Sequence, residues 1–355
     1  MKKALWLLPV LLVLSGCASP IPGRDVSRMQ LVSTLGIDGT PGELTVSVSS
    51  RSEGEELPGM HASARGESIH LAIRALEQGG IDGEPYFAHV QYVLCGADAA
   101  GDGMGPLLDH FQRSPQTRLD IPLYIIKEGN AAEELVTAGE EEQEITELLS
   151  ALEQESARRG AKDATVLSVA RALARQGCAL CSAVRAEEKD GALVPCRDGL
   201  ALVRTEGPAV FLPEDAAFGA ELLTGRGAGL LLLLPEGATA ELREAAVDAV
   251  PRPDGSILRV RASAALTECD GGAPAPETLD AALAEQLAGY ADSAMRFMAD
   301  EGADFADLFS RWHREFRDIF PGREDFLRSM TWDIETDCAV VRSFDIDGVR
   351  EESHG

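Results

Sequence analysis

The feature that most constrains this chain is an apolar run of eleven residues, Ala4 to Leu14, placed directly behind Lys2 and Lys3. As a helix rising 1.5 Å per residue it reaches about 16 Å, roughly half of a ~30 Å hydrocarbon core, so it reads as a signal segment and not as a membrane span. No other stretch reaches eighteen apolar residues. Everything downstream is therefore expected to lie outside the membrane and to bury its apolar side chains in cores of its own.

The run ends in Leu14-Ser15-Gly16-Cys17, which resembles the lipobox of bacterial lipoproteins. The resemblance implies that residues 1–16 are a lipoprotein signal peptide and that Cys17 is the lipid-attachment residue, thioether-linked to diacylglycerol, and the mature N-terminus. Two acyl chains hold a protein stably where one gives only marginal binding. Residues 17–24, with Pro22 and Gly23, read as a tether to the folded part, held at the outer face of the cell membrane. Apart from that lipid, no cofactor is expected.

A length of 355 residues suggests two or three domains. Hydrophobic residues at 45% and charged residues at 26% are ordinary for packed domains and exclude wholesale disorder. The formal charge of −27 repels phosphate backbones, which argues against nucleic acid as a partner. Aromatic residues make up only 5%, so the cores must be built from Leu, Val and Ala.

Periodicity gives strands and helices in alternation. Residues 29–37 and 44–50 read as two strands joined by the turn-forming Asp38-Gly39-Thr40-Pro41-Gly42, a hairpin by composition. Helical spacing follows over 68–78, a buried strand over 87–94, a short helix over 106–112 with Pro in its first turn, and a strand over 123–127. The acids from Glu140 to Glu144 read as the solvated start of a long amphipathic helix through Leu152, where the helix dipole favours negative charge. A helix over 165–175 and strands over 179–186, 200–204, 209–212 and 257–266 come next, with a Gly-rich and then continuously apolar run over 226–234 and a break from Pro251 to Gly255. Helices over 276–298 and 305–320, the latter presenting Phe305, Leu308, Phe309, Trp312 and Phe316, precede a last strand over 332–344. The expected fold class is α+β: three consecutive mixed α/β domains over residues 25–139, 140–228 and 229–350, after the signal peptide and tether.

Catalytic signatures are absent. The sequence has no G-x-S-x-G elbow, H-E-x-x-H pair, Walker A loop or complete G-x-G-x-x-G after a strand, and Gly225-Arg226-Gly227-Ala228-Gly229 precedes a strand, so it reads as a turn. The six histidines are scattered and no motif joins them. Beyond Cys17 the cysteines are Cys95, Cys178, Cys181, Cys196, Cys269 and Cys338, too sparse for a disulfide scaffold, with individual disulfides left open. Cys178, Cys181 and Cys196 suggest zinc, but no fourth ligand stands near them, so no metal site is expected. The chain is expected not to be an enzyme.

Serial local patterns resemble the Ger(x)C family, the C-subunit lipoproteins of spore germinant receptors. They run from Arg24-Asp25-Val26 and Leu31 to Asp38, ending in Gly-Ile-Asp, through Ser68 to Arg74, His89 to Leu94, Pro106 to Arg113, and Arg118 with Leu123 to Ile126. Gly199 to Leu202, Ala264 to Glu268, and Gly302-Ala303-Asp304-Phe305 with Trp332 continue the same order. Ala18 departs from the family's usual Trp after the lipid cysteine, and Ala, Gly and Glu replace much of its Lys-rich surface. The resemblance implies three α/β domains on the outer face of the inner spore membrane. It also implies membrane-embedded A and B subunits as partners in nutrient-triggered germination, and no catalytic residues.

Two other classes share parts of this pattern. A solute-binding lipoprotein of a transporter has the same anchor but usually clamps its ligand with aromatic or charged groups in a two-lobed cleft, and aromatics are few here. A lipid-anchored hydrolase needs an activated nucleophile, and none is signalled.

Overall fold

The computed structural model describes residues 29–342 except 51–59, 82–83, 129–130, 138–144, 159–161, 190, 270–273 and 320–321. Cys17, the signal peptide and the tether lie outside the described residues, as do the acidic run 140–144 and the C-terminal tail. Two sheets and the helices that cover them make up the rest.

The first sheet has nine strands. Strands β1 (Met29–Thr40), β2 (Glu43–Ser50) and β3 (Met60–Gly66) form an antiparallel meander at one end, and β4 (Glu84–Tyr86) pairs with the start of β1. From β1 the order passes in parallel through β5 (Tyr92–Gly96), β6 (Leu123–Ile126) and β7 (Cys178–Lys189), then antiparallel through β8 (Ala192–Arg204) and β9 (Val210–Phe211). The boundary expected at 139/140 falls inside this layer, because Tyr124 to Ile126 of β6 pair with Ser182 to Val184 of β7. A parallel sheet needs helices on both faces, and they are supplied from both sides of that boundary.

Helices α1 (Ile69–Ala75), α2 (Gly105–Arg113) and α5 (Val166–Gln176) cover one face; α3 (Ala131–Thr137) and α4 (Ile145–Arg158) cover the other. The strands show why. In β5, Val93 and Cys95 enter the first core while Tyr92 and Leu94 enter the second; in β6, Leu123 and Ile125 separate in the same way from Tyr124 and Ile126. Continuous apolar runs in the sequence are thus strands buried on both faces. The hairpin expected between β1 and β2 forms, with Thr40 opposite Glu43.

The second sheet orders β10 (Leu231–Leu234), β11 (Ala238–Arg252), β12 (Gly255–Cys269) and β13 (Thr331–Arg342), with β13 parallel to β12. Helix α7 (Pro276–Glu301) lies along it. Leu279, Leu283, Leu287 and Ala291, four residues apart, fill the core over this sheet, and Ala294, Met295 and Met298 continue into a third cluster against β7 and β8. Helices α6 (Glu214–Leu223), α8 (Leu308–Glu315) and α9 (Arg323–Ser329) complete that cluster around Trp312, which is fully buried. Its indole Nε1 donates to the Arg252 carbonyl at 2.6 Å, tying α8 to the tip of the β11–β12 hairpin.

Several expectations need correction. Residues 87–89 form a 3-10 turn rather than the start of a strand, and β5 begins at Tyr92. The helix expected over 305–320 is confined to Leu308–Glu315, because the buried Asp304 carboxylate accepts from the Leu308 and Phe309 amides at 2.7 and 2.8 Å and fixes where the helix starts. Pro251 is no break; it sits within β11, opposite Ser256, and the turn is limited to Pro253 and Asp254. The longest missed element is β11, whose Ala, Glu and Arg content carries helix propensity, yet which is held as a strand by partners on both sides.

Candidate functional site: a cleft between two helices

A concavity opens between α1 and α2 above the β1–β2 hairpin, with a volume of about 670 Å³, within the range of small-molecule pockets. Its floor is apolar: Leu35, Ile37 and Leu44 rise from the hairpin, Ile69 and Ile73 from α1, and Phe87 from the 3-10 turn. Ser68 caps α1 by accepting from the Leu71 amide at 3.3 Å, which sets the phase that turns Ile69 and Ile73 inward. One turn apart on the same helix, His70 and Arg74 line the wall, and His110 and Arg113 of α2 line the opposite one. Arg113 holds Asp109 at 2.7 Å in an exposed pair, and Arg74 makes no ion pair among the described residues. Burial, and then the neighbouring His70, push the His110 imidazole below its ordinary value.

Forty residues separate His70 from His110 in sequence, and no spacing rule joins them. The fold alone brings them to one cleft. The other described histidines are engaged elsewhere: His61 Nδ1 lies 2.8 Å from the Val136 carbonyl, His89 packs near Tyr86, and His313 stacks on Phe309.

The cysteine trio does not converge. Cys178 and Cys181 project to opposite faces of β7, one into each of two cores, while Cys196 lies on β8 opposite Arg185 with its sulfur 3.3 Å from Lys189 Nζ. Burial pushes the Cys178 and Cys181 thiols up to about 12, as expected of inert packing residues. All six described cysteines are free.

The Gly-Ile-Asp stretch has a structural task. A Cβ on Gly36 would stand 2.2 Å from Ser47 Oγ and 3.2 Å from the Ala132 carbonyl, so only glycine lets α3 approach β1 and β2. Ile37 faces the cleft, and the buried Asp38 carboxylate accepts from the Ala132 and Glu133 amides at 3.3 and 2.5 Å, capping α3. Burial drives its pKa up to about 6 despite those two donors. A second buried carboxylate, Asp163, is satisfied in full. It accepts from Ser182 at 2.6 Å, Tyr124 at 2.9 Å and Arg197 at 2.8 Å, and although burial opposes its charge, Arg197 and those hydroxyls hold it below the ordinary carboxylate value.

Residues 23–186 match the family model described as the spore germination protein N-terminal domain. The cleft and both sequence stretches that shape it, Leu31 to Asp38 and Ser68 to Arg74, lie inside that match. The fold extends the likeness past it, for the crystal structure of the GerBC protein superposes with a TM-score of 0.53 over 87% of this chain and 97% of that one, at 15% identity. Over residues 23–186, just under half of the chain, the protein is similar to spore germination proteins. At that identity the GerBC likeness speaks for the fold, and the domain match speaks for germination. No curated protein sequence matches the chain significantly. The mixed α/β architecture of GerBC is therefore shared here by a sequence that differs from it at most positions.

Proposed function

We propose that this chain is a Ger(x)C protein, the lipid-anchored, non-catalytic C subunit of a nutrient germinant receptor, working with membrane-embedded A and B subunits on the outer face of the inner spore membrane. One observation carries the reading: a spore germination domain over residues 23–186, within a fold shared with GerBC over most of the chain, directly follows Leu14-Ser15-Gly16-Cys17. The chemistry is consistent with binding and assembly. The buried carboxylates serve as a cap and an ion pair, the buried thiols are packing groups, and no described helix is long and apolar enough to cross a membrane. A tethered body with this role acts by burying surface against its partners.

Deleting the gene is expected to abolish germination through one nutrient receptor while leaving others intact, and the A and B subunits are expected to co-purify with the chain in detergent. With a formal charge of −27, the contacts are expected to use basic patches on the partners' outer loops and to weaken as salt rises. Normal nutrient germination in the deletion strain, with no paralogue substituting, removes the receptor assignment and returns the solute-binding reading to first place. The anchor is tested separately. Cys17→Ala is expected to give unprocessed precursor that takes up no radioactive fatty acid, and continued labelling would refute lipid attachment at Cys17.

A further inference from the structure

The α1–α2 cleft has features that a purely structural seam does not need. Two packed helices usually close their contact with interdigitating side chains, whereas here about 670 Å³ stays open above Leu35, Ile37, Leu44 and Phe87. Basic groups face one another across the mouth: His70 and Arg74 at i, i+4 on α1, and His110 and Arg113 at i, i+3 on α2. Three acids also line the cleft. Asp109 is occupied by Arg113, and Glu67 and Glu77 flank the His70–Arg74 pair in sequence. Arg74 has no ion pair among the described residues, and the Arg113–Asp109 pair is exposed, so that its disruption costs little.

We propose that this cleft is a binding site for a small, water-soluble carboxylate with a compact apolar body. The apolar body lies on the hairpin floor. The carboxylate sits between the two basic rows, accepting from the Arg74 guanidinium and from imidazole N–H groups of His70 and His110. A planar guanidinium matches a carboxylate in a two-point hydrogen bond, and the apolar floor supplies the burial that a bare anion would not gain. The inference does not rest on the receptor assignment, because the cleft belongs to this chain alone.

The test uses the full chain in lipid nanodiscs with 3-phenylpropanoate as probe, its binding read by saturation transfer to the ring protons and by the imidazole signals of His70 and His110. Saturable binding is expected for the carboxylate, with at least tenfold weaker binding for 3-phenylpropylamine and 3-phenylpropanol. Arg74→Ala is expected to weaken the carboxylate at least tenfold with an unchanged melting temperature, while Arg243→Ala on the distant β11 strand leaves it as in the parent. Equal binding of the amine or alcohol, no effect of Arg74→Ala, or no saturable binding refutes the proposal. Perturbation of both imidazoles by phosphatidylglycerol in the nanodisc but not by the free carboxylate also refutes it, since the cleft would then meet lipid.

Discussion

Two glycines on facing helices set up a test in which the same substitution should act with opposite sign. Gly219 of α6 lies against α7, where an added Cβ would stand 1.9 Å from the Tyr290 carbonyl oxygen, 2.6 Å from its carbon and 2.8 Å from the Ala294 Cβ. Ordinary carbon contacts begin near 3.5 Å, so Gly219→Ala must push the helices apart by roughly 1.5 Å. That movement loosens Ala216, Ala217, Ala220 and Ala291, all buried around the crossing. Overpacking of this kind costs roughly 1–3 kcal/mol, here at the upper end because the obstacle is backbone, against about 1 kcal/mol gained from alanine's helix propensity. The net expectation is a loss of about 2 kcal/mol. Gly289, on α7 itself, has nothing within 4 Å of the same atom, so Gly289→Ala should add ~0.5–1 kcal/mol. Urea unfolding followed through Trp312 and Trp332, both in the clusters that α7 joins, gives the two values directly. Equal shifts in both variants, or a more stable Gly219→Ala protein, would refute the claim that a glycine contact sets the spacing of α6 and α7.

Asp163 and Asp38, two of the buried carboxylates, carry opposite pH signatures. Arg197→Met strands the Asp163 carboxylate, whose side chain is 2% exposed, and should cost about 3–5 kcal/mol at pH 7 by urea unfolding. Asp163 binds its proton less readily folded than unfolded, so its stabilising contribution is complete above about pH 4 and is lost as pH falls below that. Asp38 is the reverse. Its folded value near 6 lies above the unfolded 3.8, so the native state holds the extra proton between those values and stability from this group declines as pH rises from about 4 to 6. Asp38→Asn should flatten that part of the profile, measured as urea midpoints at pH 4.5 and 7.5, and an unchanged pH slope would show that the carboxyl is not protonated in that window. Asp38→Ala removes the acceptor from α3 as well and should cost ~1 kcal/mol more than the Asn variant.

What the sequence determined by itself was mostly local. The β1–β2 hairpin, the Ser68-capped α1 and the four-residue leucine spacing of α7 are each legible because local chemistry and burial agree. Tertiary structure decided the rest. Ala238 to Arg252 has helix-forming composition and becomes a strand because β10 and β12 satisfy its backbone on both sides, a pairing energy that no local window contains. The first sheet spans the boundary expected at 139/140 because β6 and β7 pair although about fifty residues separate them in sequence. The alternation that sends Cys178 and Cys181 to opposite cores is visible only once β7 is known to be covered on both faces. The cleft is the clearest case. His70 and His110 share it because α1 and α2 follow different strands and then pack on the same face of one sheet, so their proximity is a property of strand order, which sequence spacing does not encode.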